Sequence, residues 1–169
     1  MKKVRFAEMR CSLARALDLI GDWWTPLILR DIFAGVAKFD ELVEDLGISR
    51  NLLSARLRML EENGVVHRVA YQTRPTRHAY ALTDAGRDLA PAIMALTAWG
   101  DRWAQPKEGQ PMKLRHRACG HVFTPVITCS HCAGKIEAAA VEILPGPGGA
   151  AAPGTLVLAR RLAGAQPER

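Results

Sequence analysis

Apolar residues recur at helical spacing through the first part of the chain. Leu13, Leu17 and Ile20 lie on one face of a first predicted helix. A second helix, TPLILRDIF, is predicted to begin with Thr25 as its cap and to end at Gly35, because a hydroxyl satisfies free amides at a helix start and glycine accepts the left-handed backbone at a helix end. The pattern therefore indicates short amphipathic helices.

A third helix, FDELVEDLG, is predicted with Asp40 as its cap, and a fourth, SRNLLSARLRMLEENG, begins almost at once at Ser49. At about 100° per residue, the fourth helix has two distinct faces. Its apolar stripe is formed by Leu53, Leu57 and Leu60. Its opposite, polar side carries Arg50, Asn51, Ser54 and Arg58. One face is predicted to pack in a core, and the other is free to contact a partner.

After Gly64 the hydrophobic pattern changes from helices to strands. VVHRVAY and HAYALT are rich in residues that favour strands, and the basic segment from Arg74 to Arg77 between them is predicted to be a hairpin tip. Thr83 is predicted to cap a last long helix with a kink or break at Pro91. Short helices followed by a basic hairpin predict a mainly α winged helix-turn-helix fold with a small β-hairpin wing.

The composition is that of a globular protein with an excess of positive charge. The 169 residues are 49% hydrophobic and 24% charged, with a formal net charge of +6, which favours an anionic partner. No apolar run approaches the roughly 18 residues of a membrane span, and the N-terminus lacks the apolar core of a signal peptide. We therefore expect a cytoplasmic protein without a membrane partner.

Three segments of the chain resemble the HxlR-type winged helix regulators, distant relatives of the MarR group. They are CSLARALDLIGDWWTPLILRDIF, FDELVEDLGISRNLLSARLRMLEENGVV and YALTDAGRDLAPAI. The resemblance implies a homodimeric, sequence-specific DNA-binding transcriptional regulator whose first and last helices form the dimer. A symmetric dimer is expected to bind an inverted-repeat operator in double-stranded DNA.

Two groups of side chains are candidate DNA contacts. Arginine and asparagine can pair with guanine and adenine edges, and the major groove admits one helix, so the polar side of the fourth helix is predicted to read bases. Arg56 points nearer the packed side and is excluded from this set. Arg74 and Arg77 of the wing are predicted to contact phosphate or the minor groove. The alternative is that these charged surfaces are merely solvated.

Cys11 is a candidate redox sensor. It lies at the predicted start of the first helix between Arg10 and Arg15, so the helix dipole and two cations favour the thiolate form that reacts with an oxidant or electrophile. Some members of the HxlR family sense through this cysteine, whereas others retain it without known chemistry. The alternative is an unreactive, half-buried thiol.

The segment HRACGHVFTPVITCSHC predicts a small zinc ribbon. His116 and Cys119, like Cys129 and Cys132, are separated by two residues, and the four together form a Cys₃His set that fills the tetrahedral shell of about one structural zinc per chain. His121 is an alternative fourth ligand. VFTPVIT is predicted to be a strand and KIEAAAVEIL a further one, and the alternative is a metal-free tail.

Other functions remain open for these residues. Cys129 and Cys132 also have the spacing of a thiol oxidoreductase, but neither a thioredoxin-like strand–helix pattern nor a catalytic triad accompanies them, so an enzyme is not expected. The Cys/His cluster is also compatible with a metal-responsive regulator. The four tryptophans either line a small-molecule effector pocket or pack in the core and the dimer contact. They are Trp23, Trp24, Trp99 and Trp103.

These features divide the chain into four parts. Residues 8–103 are predicted to be the DNA-binding and dimerisation domain, and residues 104–111 a linker. Residues 112–144 are predicted to form a small zinc-ribbon-like β appendage. Residues 145–169 begin with a run of glycine and proline and are predicted to be a flexible tail, in which TLVLARRL is either a strand or a helix.

Overall fold

The computed structural model of the protein describes residue 6 and residues 9–164. The predicted domain start at residue 8 and the last five positions of the predicted tail lie outside the described residues. The regular elements follow the order that the sequence predicts for a winged helix-turn-helix. They are α1 (Ser12–Ile20), α2 (Thr25–Ala34), α3 (Phe39–Leu46), α4 (Arg50–Glu62), β1 (Val66–Thr73), β2 (Thr76–Leu82), α5 (Asp84–Trp103), β3 (Leu114–Arg115), β4 (Val122–Phe123), a 3₁₀ turn (Ala138–Ala140) and α6 (Leu156–Gly164).

One hydrophobic core joins α2, α3, α4 and the base of the β1–β2 hairpin. The predicted stripe of α4 is inside it: Leu53, Leu57 and Leu60 are at most 1% exposed. They pack in one cluster that also contains Leu42 of α3 and Leu82 of β2. Burial of these side chains contributes roughly 1.5–3 kcal/mol each, so the core fixes how α4 is rotated about its axis.

The starts of α2 and α3 differ from the predictions. Thr25 is the first residue of α2 rather than its cap, because the Asp22 carboxylate accepts hydrogen bonds from the backbone N–H groups of Trp24 at 3.0 Å and Thr25 at 3.1 Å. Asp40 lies in the first turn of α3, and Lys38 occupies the cap position. In both helices the cap position lies one or two residues before the predicted capping residue.

Three other helix boundaries confirm the predictions. The Ser49 hydroxyl accepts a hydrogen bond from Leu52 N–H at 3.3 Å and caps α4. Gly35 and Gly47 end α2 and α3 with φ of 99° and 60°, values that a residue with a Cβ rarely adopts. The short connection from Gly47 to Ser49 then sets α4 across α3.

The wing is an antiparallel hairpin whose tip is shorter than predicted. Val66 pairs with Leu82 at its base and Thr73 with Thr76 at its end, so Arg74 and Pro75 form the turn. Arg77 was predicted at the tip but lies on β2 opposite Gln72, because the strand pairing continues to Thr76. An irregularity of register follows Ala70 on β1, and such a bulge increases the local twist of the hairpin.

The last helix of the winged-helix domain is continuous. The predicted break at Pro91 is not observed, since α5 runs from Asp84 to Trp103 with Pro91 inside it. The Thr83 hydroxyl caps its start by accepting from Gly86 N–H at 3.2 Å. A proline removes a single backbone hydrogen bond from a helix, and the packing of α5 against α2 holds the helix on both sides of that point.

The appendage contains less β-structure than predicted. Only Val122 and Phe123 of VFTPVIT form a strand, which pairs with β3. KIEAAAVEIL forms the 3₁₀ turn rather than a strand. Its only pairing among the described residues is an isolated bridge between Thr128 and Lys135. The segment 145–169, predicted to be a flexible tail, contains helix α6, whose preceding residue Thr155 is 7% exposed.

We expect truncation of the α4 stripe to destabilise the domain severely. Leu53→Ala removes a fully buried side chain and should lower the free energy of unfolding by about 2–5 kcal/mol, because it leaves a cavity in the core. The adjacent Ser54→Ala changes an exposed residue and should alter stability by less than about 0.5 kcal/mol. Urea denaturation followed by circular dichroism measures both. Equal effects of the two substitutions would contradict the described rotation of α4.

Candidate nucleic-acid interface

The polar side of α4 is open at its N-terminal half. Arg50, Asn51, Ser54 and Arg58, the residues predicted to read bases, are all exposed. Asn51, Ser54 and Arg58 lie on the side of the helix away from the leucine stripe, because about 3.6 residues complete one turn. Arg50 follows the spacing of the stripe and is exposed because it is the first residue of α4. The helix dipole favours an anion only beside the first turn, near Arg50 and Asn51.

Arg50 differs from the other three because it already has partners. Its Nη1 lies 2.8 Å from Oδ1 of Asp40, and its guanidinium lies 4.9 Å from the centre of the Phe39 ring. Both partners belong to α3. The Arg50 and Asp40 side chains are 64% and 68% exposed, so this ion pair is worth at most about 1 kcal/mol. DNA phosphate or a base edge can therefore compete for Arg50.

Arg56 faces the domain rather than the open surface, as its predicted position nearer the packed side of the helix requires. Its Nε lies 3.3 Å from Oδ1 of Asp22, and its side chain is 26% exposed. The same carboxylate caps α2. Asp22 therefore joins the start of α2 to the middle of α4, a role that its position before two tryptophans did not reveal.

A second ion pair attaches the wing to α4. Nη2 and Nε of Arg68 on β1 lie 2.6 and 3.0 Å from Oε2 of Glu61 near the end of α4. The Glu61 carboxylate raises the pKa of Arg68, as expected for a cation beside an anion. Pairing also offsets one of the two acidic charges at this end of the helix. This ion pair holds the wing beside the exposed polar face of α4.

The two wing arginines occupy different positions on the hairpin. Arg74 lies in the turn and Arg77 on β2, and both are exposed. The turn is supported by the Gln72 side-chain amide, which donates to the Arg74 carbonyl at 2.9 Å. The structure thus presents one cation at the tip and one on the strand, instead of the two at the tip that the sequence predicted.

Cys11 lies at the start of α1 beside a cavity. It occupies the N-cap position without a side-chain capping hydrogen bond, and it is partly exposed. A cavity of about 550 Å³ is lined by Cys11, by Arg10 and Arg15, and by glycines of the segment after Pro145, including Gly148. The sequence predicted the two arginines beside the thiol, but it did not predict that the glycine-rich segment lies against them.

His116 with Cys119 and Cys129 with Cys132 each lie in one turn, but the two pairs do not form one site. Nδ1 of His116 lies 3.3 Å from Sγ of Cys119. In the second pair, backbone N–H groups of Cys132 and His131 lower the pKa of the Cys129 thiol. Within residues 9–164, however, no group of three or more His, Cys, Asp or Glu side chains is arranged to hold one metal ion.

The two pairs lie in tight turns of the kind that can place two ligands on one metal ion. Gly120 follows Cys119 with φ of 74°, and Ala133 follows Cys132 with φ of 56°. The Gly120 amide donates to the His116 carbonyl and the Ala133 amide to the Cys129 carbonyl, each at 2.8 Å. Both turns are therefore closed by the same backbone hydrogen bond, which runs from the residue after the second proposed metal ligand to the carbonyl of the first.

The comparisons with known proteins extend over most of the chain. A profile described as HxlR-like helix-turn-helix matches residues 19–108. The chain is 51% identical over 137 residues to a protein named "Uncharacterized HTH-type transcriptional regulator Rv3095" of Mycobacterium tuberculosis, with 81% of this chain and 87% of that protein covered. It is also 34% identical to the HTH-type transcriptional regulator YdeP of Bacillus subtilis, with 55% and 73% covered. The first match is longer than the whole winged-helix domain and therefore reaches into the appendage.

Solved structures show the same fold. The crystal structure of PA1607 has a TM-score of 0.73 at 32% identity and covers 83% of this chain and 98% of that chain. The redox regulator HypR in its oxidized form has a TM-score of 0.53 at 31% identity and covers 57% of this chain and 100% of that chain. No helix among the described residues is long and apolar enough to cross a membrane. Because the profile match spans more than half of the chain, the chain belongs to the HxlR-like helix-turn-helix family.

Proposed function

We propose that this chain, a transcriptional regulator of the helix-turn-helix type, binds an inverted-repeat operator in double-stranded DNA as a homodimer. The observation that carries the proposal is the two-sided α4, with a fully buried leucine stripe and an exposed polar face that extends from Asn51 to Arg58. A helix held in this way enters the major groove with its polar face toward the base edges. The wing, attached through Arg68 and Glu61, then lies over the adjacent backbone.

The four exposed residues of α4 are proposed to contribute unequally to the choice of DNA bases. Asn51 and Arg58 have the side chains that pair in two hydrogen bonds with adenine and guanine, and Ser54 supplies a hydroxyl to either. Arg50 must first leave Asp40, so its contribution is the net difference between two exposed charge contacts. We therefore assign Arg58 and Asn51 the larger share of base choice and Arg50 a smaller one.

Dimerisation is supported by apolar side chains that remain exposed outside the core. Leu96, Trp99 and Trp103 of α5 are 59–65% exposed, and their spacing places them on one side of the helix. Leu13 and Leu17 of α1 are likewise exposed. Contact between two copies through these helices removes the apolar surface from water and sets two recognition helices about 34 Å apart, one duplex turn.

A catalytic function is not supported by the arrangement of the cysteines. Cys129 and Cys132 lie in a short hairpin closed by the Thr128–Lys135 bridge, not at the start of a helix packed on a parallel sheet. We infer that the chain is not a thiol oxidoreductase. We place it in the cytoplasm, because the DNA that it is proposed to bind is there.

Substitutions on α4 and on the wing should have different effects on DNA binding. Arg58→Ala should cost about 1–3 kcal/mol at the preferred operator and relax the choice at one base pair, because it removes a base contact. Arg77→Ala should weaken all sequences alike and reduce the salt slope by about 1, because it removes a phosphate contact. Fluorescence anisotropy with operator and scrambled duplexes at several salt concentrations measures both.

The control for lost charge is Arg160→Ala, which removes an exposed arginine from α6 and should leave the preference between the two duplexes unchanged. The operator is first selected from a genomic library with the purified protein. If the wild-type protein shows no preference over random DNA at physiological salt, the proposed function is wrong. If Arg58→Ala lowers the affinity for both duplexes equally, the assignment of base reading to α4 is wrong.

We also propose that oxidation of Cys11 lowers operator affinity. The thiol is partly exposed and flanked by Arg10 and Arg15, and the structural neighbour HypR is named a redox regulator. Peroxide oxidises two Cys11 thiols of the dimer to a disulfide; the thiols lose two electrons and two protons, and the peroxide is reduced to two waters. Since α1 is part of the proposed dimer contact, such a link rotates one recognition helix against the other.

Hydrogen peroxide should therefore weaken operator binding by about tenfold in the wild-type protein and by less than about twofold in Cys11→Ser. Affinity is measured before and after treatment, and dithiothreitol should restore it. Ser12→Ala changes the exposed neighbour of Cys11 and keeps every cysteine, so it is the matched control and should respond to peroxide as the wild-type protein does. An equal loss of affinity in the wild-type protein and Cys11→Ser would show that the oxidant acts elsewhere.

For the appendage, we propose a structural zinc held by His116, Cys119, Cys129 and Cys132. The donor set suits zinc, and each pair is carried by a closed turn with its donors close together. Binding all four to one ion requires the β3–β4 hairpin to close on the hairpin around Thr128 and Lys135. His116 is preferred to His121 because its Nδ1 already faces the Cys119 sulfur. Such a zinc has no open position, so it stabilises the appendage and supplies no catalysis.

Elemental analysis of protein purified without added metal should find about one zinc per chain. Cys119→Ser and Cys132→Ser should each lower the zinc content severely because a thiolate ligand is lost. Cys11→Ser removes a cysteine from the other end of the chain and should leave the zinc content unchanged. A metal-free wild-type protein whose three appendage thiols react freely would contradict the proposed site.

A further inference from the structure

A half-enclosed cavity lies between α2, α5 and the appendage. Its volume is about 470 Å³, within the roughly 300–1,000 Å³ of small-molecule sites in proteins. Leu29 and Phe33 of α2, Ala90 and Ile93 of α5, and Phe123 of β4 contribute to its walls. The winged-helix domain and the appendage therefore each supply one side of the same cavity.

The cavity is apolar and has little charge to offer an ionic ligand. Arg30 lies at its border, but its guanidinium is committed to the carboxylates of Asp31 at 2.6 Å and Asp45 at 3.5 Å. The other charged lining residues are Asp101 and Lys113, whose charges are opposite. An ion would lose its hydration without gaining a matched partner, so the cavity favours an uncharged molecule.

Large apolar side chains around the cavity are not covered by the protein. Phe33 is 51%, Met112 48% and Phe123 38% exposed, and all three line the cavity. An exposed apolar concavity is a typical feature of a binding site, because an occupant removes these side chains from water. The Thr97 hydroxyl, which donates to the Ile93 carbonyl at 2.9 Å, still has acceptor capacity for an N–H or O–H group of a ligand.

This cavity is separate from the proposed dimer contact. The lining residues Ile93, Thr97 and Asp101 repeat every four residues along α5, whereas Trp99 and Trp103 lie on the opposite side of the helix. None of the four tryptophans that the sequence suggested as pocket residues lines it. An occupant of the cavity therefore does not compete with a second copy bound through the exposed stripe.

Two lining residues connect the cavity to the DNA-contacting elements. Leu29 and Leu82 line the cavity and also belong to the core that holds Leu53 and Leu57 of α4. Leu82 pairs with Val66 at the base of the wing. A molecule that fits one arrangement of these side chains better than another shifts the relative placement of α2, α4 and the wing.

We propose that this cavity binds an uncharged, largely apolar small molecule and that its occupancy changes operator affinity. The second half of this proposal rests on the proposed function, whereas binding itself does not. The first experiment is therefore performed without DNA. It titrates the protein with N-phenyl-1-naphthylamine, an uncharged aromatic amine whose fluorescence rises in apolar surroundings.

The dye should bind saturably to about one site per chain. Ala98→Phe places an aromatic ring in the cavity from α5 and should weaken dye binding by about tenfold. The matched control Ala163→Phe adds the same ring to an exposed position of α6, outside the cavity lining and outside the proposed dimer contact, and should change binding by less than about twofold. Circular dichroism checks that both variants keep the helical fold.

A second variant tests the appendage side. Phe123→Ala shortens an exposed wall residue of β4, which the domain core does not need, and should weaken dye binding by at least about threefold. If folded Ala98→Phe and Phe123→Ala bind the dye as the wild-type protein does, the cavity is not the site. Loss of dye binding as the protein dimerises would instead make the cavity a contact between copies and overturn the proposal.

The regulatory half is tested with the selected operator. A saturating concentration of the dye should change operator affinity by at least about threefold in the wild-type protein and leave Ala98→Phe unchanged. Dye bound in the cavity without an effect on a measured operator affinity would overturn the regulatory half. Absence of any operator preference would defeat the proposed function, while the dye titration would still decide the ligand site.

Discussion

The fold depends on the burial of one face of α4. Leu53, Leu57 and Leu60 are almost completely removed from water in the core, and this apolar burial is the dominant favourable term in folding. A helix with one face buried cannot rotate about its axis, so the opposite face must remain outside. The same interaction that stabilises the domain therefore keeps Asn51 and Arg58 exposed to solvent, so the surface proposed to read DNA is a direct consequence of packing.

Charge contacts then restrain α4 without adding much to stability. Arg50 binds Asp40 on α3, and Glu61 binds Arg68 on the wing. Exposed ion pairs of this kind contribute about 0–1 kcal/mol each, so they orient side chains more than they hold the domain together. In the proposed complex with DNA, the Arg50–Asp40 pair exchanges for DNA contacts, whereas the Glu61–Arg68 pair keeps the wing in place.

The appendage extends the domain instead of standing apart from it. Phe123 lines the cavity on α5 and also meets the His116 ring edge to face, with ring centres 6.1 Å apart. The proposed zinc pair and the proposed ligand site are thus joined through β4. Since a short segment buries little surface of its own, a zinc ion bound by the proposed ligands would stabilise this wall of the cavity.

The sequence by itself determined the helices of the winged-helix domain, the glycine ends of α2 and α3 and the two-sided pattern of α4, because these depend on residues within one or two turns of each other. It also predicted that Arg56 points nearer the packed side of α4 than Arg58 does, as the structure shows. Only the tertiary structure decided that Arg50 is paired with Asp40, that Arg77 lies on a strand, and that a cavity opens beside α5. Those features join residues from elements that are separate in sequence, and their relative placement follows from packing of the whole core rather than from any local pattern.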